Sequence, residues 1–306
     1  MLRAQLADVS FHTDSARSNR QLVSALVLTK NEERQLPGCL SSLSWCDDIH
    51  VYDSFSTDGT VAIARAAGAR VTQREFDNWA AHQNWALENI PFRHPWVFYL
   101  DADERATLSL VESIKRAVDS TEYVAYRIQR RDFMNGKWLR HVQATPYYLR
   151  LFRLGKMRYA RLVNPVSLAD GPVGTLTGYL DHFPFAKGMS HWLERHNAYS
   201  TLEARQTILE EGDGKELSIA AGLFSPDFVV RRHNQKRVFN RLPGRPIIRF
   251  LLLYVFKGGI LDGREGFTYA VLQAFYEYMI GLKKSELKRE RANVSGLNVS
   301  AEPKKS

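Results

Sequence analysis

Cysteine is nearly absent: Cys39 and Cys46 are the only two thiols in the chain. The stretch carrying them reads as helical, and seven positions of helix separate the side chains by about 10 Å. That is too far for a disulfide without distortion. Neither has further ligands at zinc-site spacing. Both are expected to be reduced, half-buried thiols, as in a cytosolic setting. Long apolar runs are missing too. Met1 to Arg20 holds no apolar core of signal-peptide length and is expected to be a loose arm. The run Phe250 to Phe256 is too short to span a bilayer. A glycine-rich phosphate loop near the N-terminus is lacking, which weighs against a nucleotidyltransferase. No internal repeat is present. Acid disappears between Arg231 and Arg249, where Arg231, Arg232, Lys236, Arg237, Arg241, Arg245 and Arg249 stand without one Asp or Glu.

What is present is an ordinary folded composition with an unusual charge. A hydrophobic fraction of 44% and 306 residues suffice for one large domain or a domain plus an appendage. The net charge of +9 and the pI near 9.5 point to an anionic partner: nucleic acid, a nucleotide or an acidic membrane surface.

The first half alternates short apolar runs with helical patterns, the mark of a mostly parallel α/β sheet. Strands are expected at Leu22 to Leu28, Ile49 to Tyr52, Ala69 to Thr72 and Trp96 to Leu100. Helices are expected at Arg34 to Trp45, at Thr60 to Ala67 (capped by Thr57 or Asp58) and at Trp79 to Asn89. A Ser109/Glu112 capping box would open a further helix running to Val118. Beyond Tyr123, Val124 to Gln129 and Tyr148 to Phe152 read as an antiparallel extension, and Ser190 to Glu210 as a long helix. The basic segment feeding Phe250 to Phe256 has the pattern of an interfacial membrane anchor, or of a core helix behind a solvated loop. The chain from Lys283 on reads as a polar tail.

Three polar loops fall at successive strand ends: Thr29-Lys30-Asn31-Glu32-Glu33, Asp53 to Thr60, and Asp101-Ala102-Asp103. A parallel sheet would carry all three to its carboxyl edge, where open α/β folds bind ligands. Asp101 and Asp103, two residues apart at a strand end, can converge there. Paired carboxylate oxygens suit Mg2+ or Mn2+ bound together with a diphosphate.

With these motifs the chain resembles glycosyltransferase family 2, of the GT-A fold, and within it the lipopolysaccharide core β-1,4-glucosyltransferases. The resemblance rests on T-K-N-E at Thr29 to Glu32, on Val51 to Thr60, and on L-D-A-D-E at Leu100 to Glu104. Gln83-Asn84, Asn135-Gly136-Lys137-Trp138, Tyr148 to Arg153 and Leu261 to Phe267 extend it, so that it covers about residues 22 to 282. It implies a nucleotide-sugar-binding and acceptor domain of the GT-A fold over residues 22–190, a Rossmann-like, mostly parallel sheet flanked by helices. A helical, membrane-associating region over 191–282 would follow. The 1–21 arm and the 283–306 tail would flank these.

By the same resemblance, Thr29, Lys30, Glu32, Asp53, Asp58 and Gln83 would line the donor pocket. Asp101 and Asp103 would face the sugar diphosphate and its Mg2+ or Mn2+. The family's V-H-E tripeptide, whose Glu is a plausible base, is here Val163-Asn164-Pro165. Proline has no acid–base chemistry, so the base would come from elsewhere, with Asp170, Asp181 and His182 as nearby candidates and Asp132 next.

The implied activity is inverting transfer of a hexose from a nucleotide sugar, UDP-linked, to a lipopolysaccharide core, exopolysaccharide or lipid-linked glycan. The enzyme would work as a peripheral protein at the cytoplasmic face of an anionic membrane. The competing readings are a non-catalytic sugar-nucleotide-binding protein and a nucleic-acid-binding protein. Against the last, the basic residues cluster after Arg231 and not around the aromatic strands that single-strand binders use.

Overall fold

The computed structural model describes residues 23–143, 146–160, 166–212, 234, 238–239 and 242–299. The 1–21 arm, Val163-Asn164-Pro165, and Arg231, Arg232, Lys236, Arg237 and Arg241 of the basic segment lie outside them.

Four strands, β1 (Val23–Thr29), β2 (Ile49–Asp53), β3 (Arg70–Gln73) and β4 (Trp96–Asp101), pair in parallel in the order β3-β2-β1-β4. β1 and β4 are apolar nearly throughout because both faces of the sheet are covered. Val23, Ala25, Val27, Trp96, Phe98 and Leu100 share a core with residues of α1 (Leu36–Ser41), α2 (Thr60–Ala66) and α4 (Leu108–Ala117). The alternate residues Leu26, Leu28, Val97 and Tyr99 pack with α3 (Trp79–Asn89) on the other face.

The sheet continues with antiparallel β8 (Tyr147–Arg153) and β6 (Ala125–Met134), the extension expected from the sequence. Then β11 (Val173–His182) runs parallel to β6, and the short β5 (Glu104–Ala106) closes the edge antiparallel to β11. Asn135 and Gly136, both at positive φ, form the two-residue turn from β6 to β7 (Lys137–Trp138). A separate hairpin pairs β9 (Met157–Ala160) with β10 (Val166–Ala169).

The C-terminal region is helical: α5 (Met189–Gly212), α6 (Arg245–Leu251) and α7 (Gly263–Val299). A π turn, Leu252–Phe256, and a 3-10 turn, Gly259–Asp262, join α6 to α7. Asp262 of the Leu261 to Phe267 motif is a structural pin. Its buried carboxylate accepts the backbone N–H groups of His141 and Val142 at 2.8 and 2.7 Å, fastening the helices to the loop after β7.

Several local expectations shift. α1 is shorter than Arg34 to Trp45, with Pro37 in its first turn and irregular turns after Ser41. α4 is capped by Thr107, which accepts from the Leu110 amide, so the Ser109/Glu112 box is displaced. α2 is entered through Gly59, although Asp58 still accepts the Thr60 amide at 3.0 Å. Cys39 and Cys46 are fully inside, and burial pushes the Cys46 thiol up to about 11. The stretch from Lys283 continues as helix, with Lys283 donating to the hydroxyls of Ser200 and Thr201 at 2.8 Å. Phe250 to Phe256 is two-sided. Leu253 is buried, Phe250 and Tyr254 meet Phe267 edge-on, and Val255 and Phe256 are exposed. No helix among the described residues is long and apolar enough to cross a membrane.

Candidate active site

Strand register brings the three polar loops together. Thr29 lies beside Asp53, and Leu28 beside Asp101, so β1, β2 and β4 end on one line at the carboxyl edge.

The first two loops are stitched into one unit. Lys30 Nζ donates to the carbonyls of Ser54 and Phe55, both at 2.7 Å. Asn31, at φ +54, donates its amide to Ser56 Oγ and accepts the Thr57 amide, both at 2.8 Å. Phe55 also has a left-handed backbone, at φ +57, and yet its ring is 48% exposed. A bulky residue held in that conformation at a ligand edge is strained, and strain of this kind gathers at functional sites.

Asp53 and Asp58 face into this unit. The Asp53 carboxylate is wholly buried and accepts from Thr29 Oγ1, the Ser56 amide and hydroxyl, and Gln73 Nε2. Burial works against its charge, but those donors outweigh it and hold the carboxyl below the usual range. Asp58 accepts the amides of Glu33 and Thr60. Both residues therefore shape the donor loops from within, and the direct contact to base or ribose expected of Asp53 has no free carboxylate oxygen behind it. Gln83 is likewise buried behind the edge. It donates to the Tyr99 hydroxyl at 2.9 Å, which in turn donates to Asp101 Oδ1 at 3.0 Å.

Asp101 and Asp103 do reach the edge. Asp101, a third exposed, takes a second hydrogen bond from Arg150 Nη2 at 2.8 Å. Arg150 lies over the Tyr99 ring at 4.4 Å and also reaches the buried Glu104 at 2.7 Å. Asp103 Oδ2 faces His182 Nε2 at 3.4 Å, and His182 Nδ1 meets Asp132 at 2.6 Å. Burial opposes a charge on His182, yet the two flanking carboxylates win and push it up to about 9. The His182 charge, with help from Arg195 and Arg130, in turn holds Asp103 far below the ordinary carboxylate range against the effect of burial.

Glu32, like the buried Glu104, is raised where Asp53 and Asp103 are lowered. Burial pushes it up to about 7, Lys187 at 2.6 Å pulls the other way, and Asp103 and Asp101 add repulsion. Its Oε2 is buried without a hydrogen-bond partner.

The three expected bases are placed otherwise. His182 between two carboxylates is an imidazolium at neutral pH, with no lone pair to accept a proton. Asp181 is clamped by Arg131 through two hydrogen bonds of 2.6 and 2.8 Å. Asp170 is exposed and pairs with Lys156, three residues after Arg153. Arg153 stands opposite Trp96 at the start of β4, so Asp170 lies at the wrong end of the sheet. Asp132, the next in line, is buried between His182 and Arg130.

Among the described residues no three His, Cys, Asp or Glu side chains gather as a metal site. Two carboxylates whose remaining coordination comes from substrate phosphates are nevertheless a usual Mg2+ arrangement. Asp103 meets His182 through Oδ2, and no hydrogen bond from the described residues is seen at its Oδ1. The pair fits a hard divalent ion.

Residues 24–171 match the family model described as glycosyl transferase family 2. The lipopolysaccharide core biosynthesis glycosyltransferase LpsC of Rhizobium meliloti (strain 1021) is 32% identical over 272 residues, 85% of this chain and 91% of that protein. The chain belongs to glycosyltransferase family 2. An uncharacterized glycosyltransferase of Rickettsia typhi is 24% identical across 89% of each chain. Among solved structures, a mannosyltransferase from Pyrobaculum calidifontis, in complex with GDP-mannose and Mn2+, superposes over 86% of each chain. Its TM-score is 0.51 at 17% identity, which shows the shared GT-A fold.

Sequence reasoning found the family's loops but missed Arg150, Lys187, Arg195 and Glu104. Arg150 and Glu104 carried a signal, through their places in the Tyr148 to Arg153 and L-D-A-D-E motifs.

Proposed function

We propose that this family 2 enzyme transfers a hexose, with inversion, from a UDP-linked sugar to a lipopolysaccharide-core or other lipid-carried glycan at the cytoplasmic face of a membrane. The observation that carries the reading is the line of strand ends. The stitched loops after β1 and β2 stand next to the Asp101/Asp103 pair, a nucleotide cradle beside a diphosphate clamp. The LpsC relative supports the acceptor class, and the mannosyltransferase neighbour with its GDP-mannose and Mn2+ supports a nucleotide sugar and a metal.

In this reading Lys30 and Asp53 fix the loop that carries Phe55, whose exposed ring offers a stacking face to the nucleobase. Asp101 and Asp103 would hold a Mg2+ or Mn2+ ion, which supplies positive charge against the departing diphosphate. Gln83, Tyr99 and Arg150 fix the Asp101 carboxylate, and His182 fixes that of Asp103. Lys187 and Arg195 add positive charge for the phosphates. Inversion also needs a group that takes the acceptor's proton.

A panel of nucleotide sugars tests the reading. Purified protein with Mn2+ should be stabilised against heat by UDP-sugars and should release UDP slowly from one of them. No response to any nucleotide sugar would reject it.

A further inference from the structure

The helical hairpin of α6 and α7 presents a large apolar face to solvent. On α6 and its π turn, Ile247, Leu251 and Val255 recur every fourth residue and are exposed, Ile247 to 68%. At the tip, Phe256 and Leu261 stand 78% and 68% exposed. Along α7, Phe267, Val271, Phe275, Tyr278 and Leu282 follow at spacings of four, four, three and four, all exposed. At 100° per residue these five form one stripe. It points away from the α5 side of α7, where Tyr276 meets His196 and Lys283 meets Ser200. Phe267 packs edge-on against Phe250 and Tyr254, joining the stripe to the α6 ridge. Exposed apolar surface on this scale marks a docking face.

Its charge selects the occupant. From Leu242 to Leu282 no exposed residue is acidic. Asp262 is buried, Glu277 is held by Arg245, and Glu265 is sheltered beside Lys137. The exposed charges at the rim are Lys257 and Arg264, and the sequence leading into α6 from Arg231 carries five Lys and Arg without an acid. Two copies meeting through this face would press like charges together. An anionic bilayer would neutralise them while taking up the apolar side chains at the headgroup boundary.

We propose that the exposed α6–α7 face, with Phe256 and Leu261 at its tip, inserts into the surface of an anionic membrane. The inserting surface differs from the one the sequence pattern suggested. Arg245 and Arg249 are turned to Glu277 and Gln273 of α7, Leu253 is interior, and half of the surface comes from α7. This rests on the transferase reading only in placing the acceptor in that membrane.

The test is flotation of the full chain with phosphatidylcholine vesicles, with and without phosphatidylglycerol, at low and high salt. A triple variant, Val255→Ser with Phe256→Ser and Leu261→Ser, removes tip side chains that are already in water, so its melting temperature should match wild type. Wild type should float with the anionic vesicles, less so at high salt, and the variant's partitioning should fall about tenfold or more. UDP release from the donor in solution should be equal in both. Flotation that depends on the tip in a protein without donor turnover would uphold the face while removing the transferase reading. Equal flotation of variant and wild type, no flotation, or equal recovery with neutral vesicles would overturn the proposal. So would a wild-type dimer in sedimentation that the triple variant dissolves, because the occupant would then be a second copy.

Discussion

Arg150 of β8 donates to Asp101 at the end of β4 across 2.8 Å, from the same nitrogen that reaches the buried Glu104 at 2.7 Å. One guanidinium between two carboxylates thus holds the strand end in place. Removing one partner of a buried ionic group strands the others, at roughly 3–5 kcal/mol. Arg150→Met should lower unfolding stability by that order in urea titration. Adding Glu104→Gln to the same chain should recover part of it. A single variant as stable as wild type would mean that Glu104 is neutral in the folded state.

Phe55 is expected to trade stability for binding. Phe55→Gly relieves a left-handed backbone that disfavours a bulky residue by roughly 1 kcal/mol, and the exposed ring contributes little to the core. The variant should melt no lower than wild type and bind UDP several-fold more weakly in calorimetry. Unchanged affinity would remove Phe55 from the nucleotide site.

Glu32 gives a pH signature. Its folded carboxyl titrates at about 7 instead of its ordinary 4.5, because burial opposes the charge. The folded state therefore binds the extra proton, and this contribution to stability is complete below the ordinary value and is lost as pH rises through about 7. Glu32→Gln should match wild type at about pH 5 and melt higher at about pH 8.5. A melting difference that does not change with pH would show that Lys187 keeps Glu32 ionised throughout.

Gly178 tests the packing of β11 on α4. It sits at φ +93, and a Cβ there would collide with the backbone of Leu110. Gly178→Ala should destabilise the protein by about 2 kcal/mol or more, read in the same urea titration. A smaller loss would mean that the β11 bulge between Thr175 and Tyr179 can slide.

The donor loops are legible in the sequence because each joins an apolar strand to a polar run, and a parallel sheet leaves them one place to go. Orientation within a loop is not legible. Asp53 and Asp58 read as ligands, but side-chain turns of Asp and Ser use the same letters as binding motifs, and here the loops consume their own carboxylates. His182 read as a base because its partners, Asp103 and Asp132, are 79 and 50 residues away. Only the pairing of β11 with both β5 and β6 brings all three together. The apolar run at Phe250 read as either a membrane anchor or a core helix, since its division into inner and outer faces depends on where α7 lies.

The most direct measurement of the central claim is metal-dependent turnover of the preferred UDP-sugar by wild type and Asp103→Ala after chelation and Mn2+ add-back. Asp103 is mostly buried and faces the His182 side chain, so Asp103→Ala should lower the melting temperature while leaving a cooperatively folding protein. The account predicts turnover reduced by at least about a hundredfold in that folded variant, with no recovery on Mn2+ add-back. Wild-type turnover in Asp103→Ala, or turnover in wild type that chelation does not touch, would contradict it.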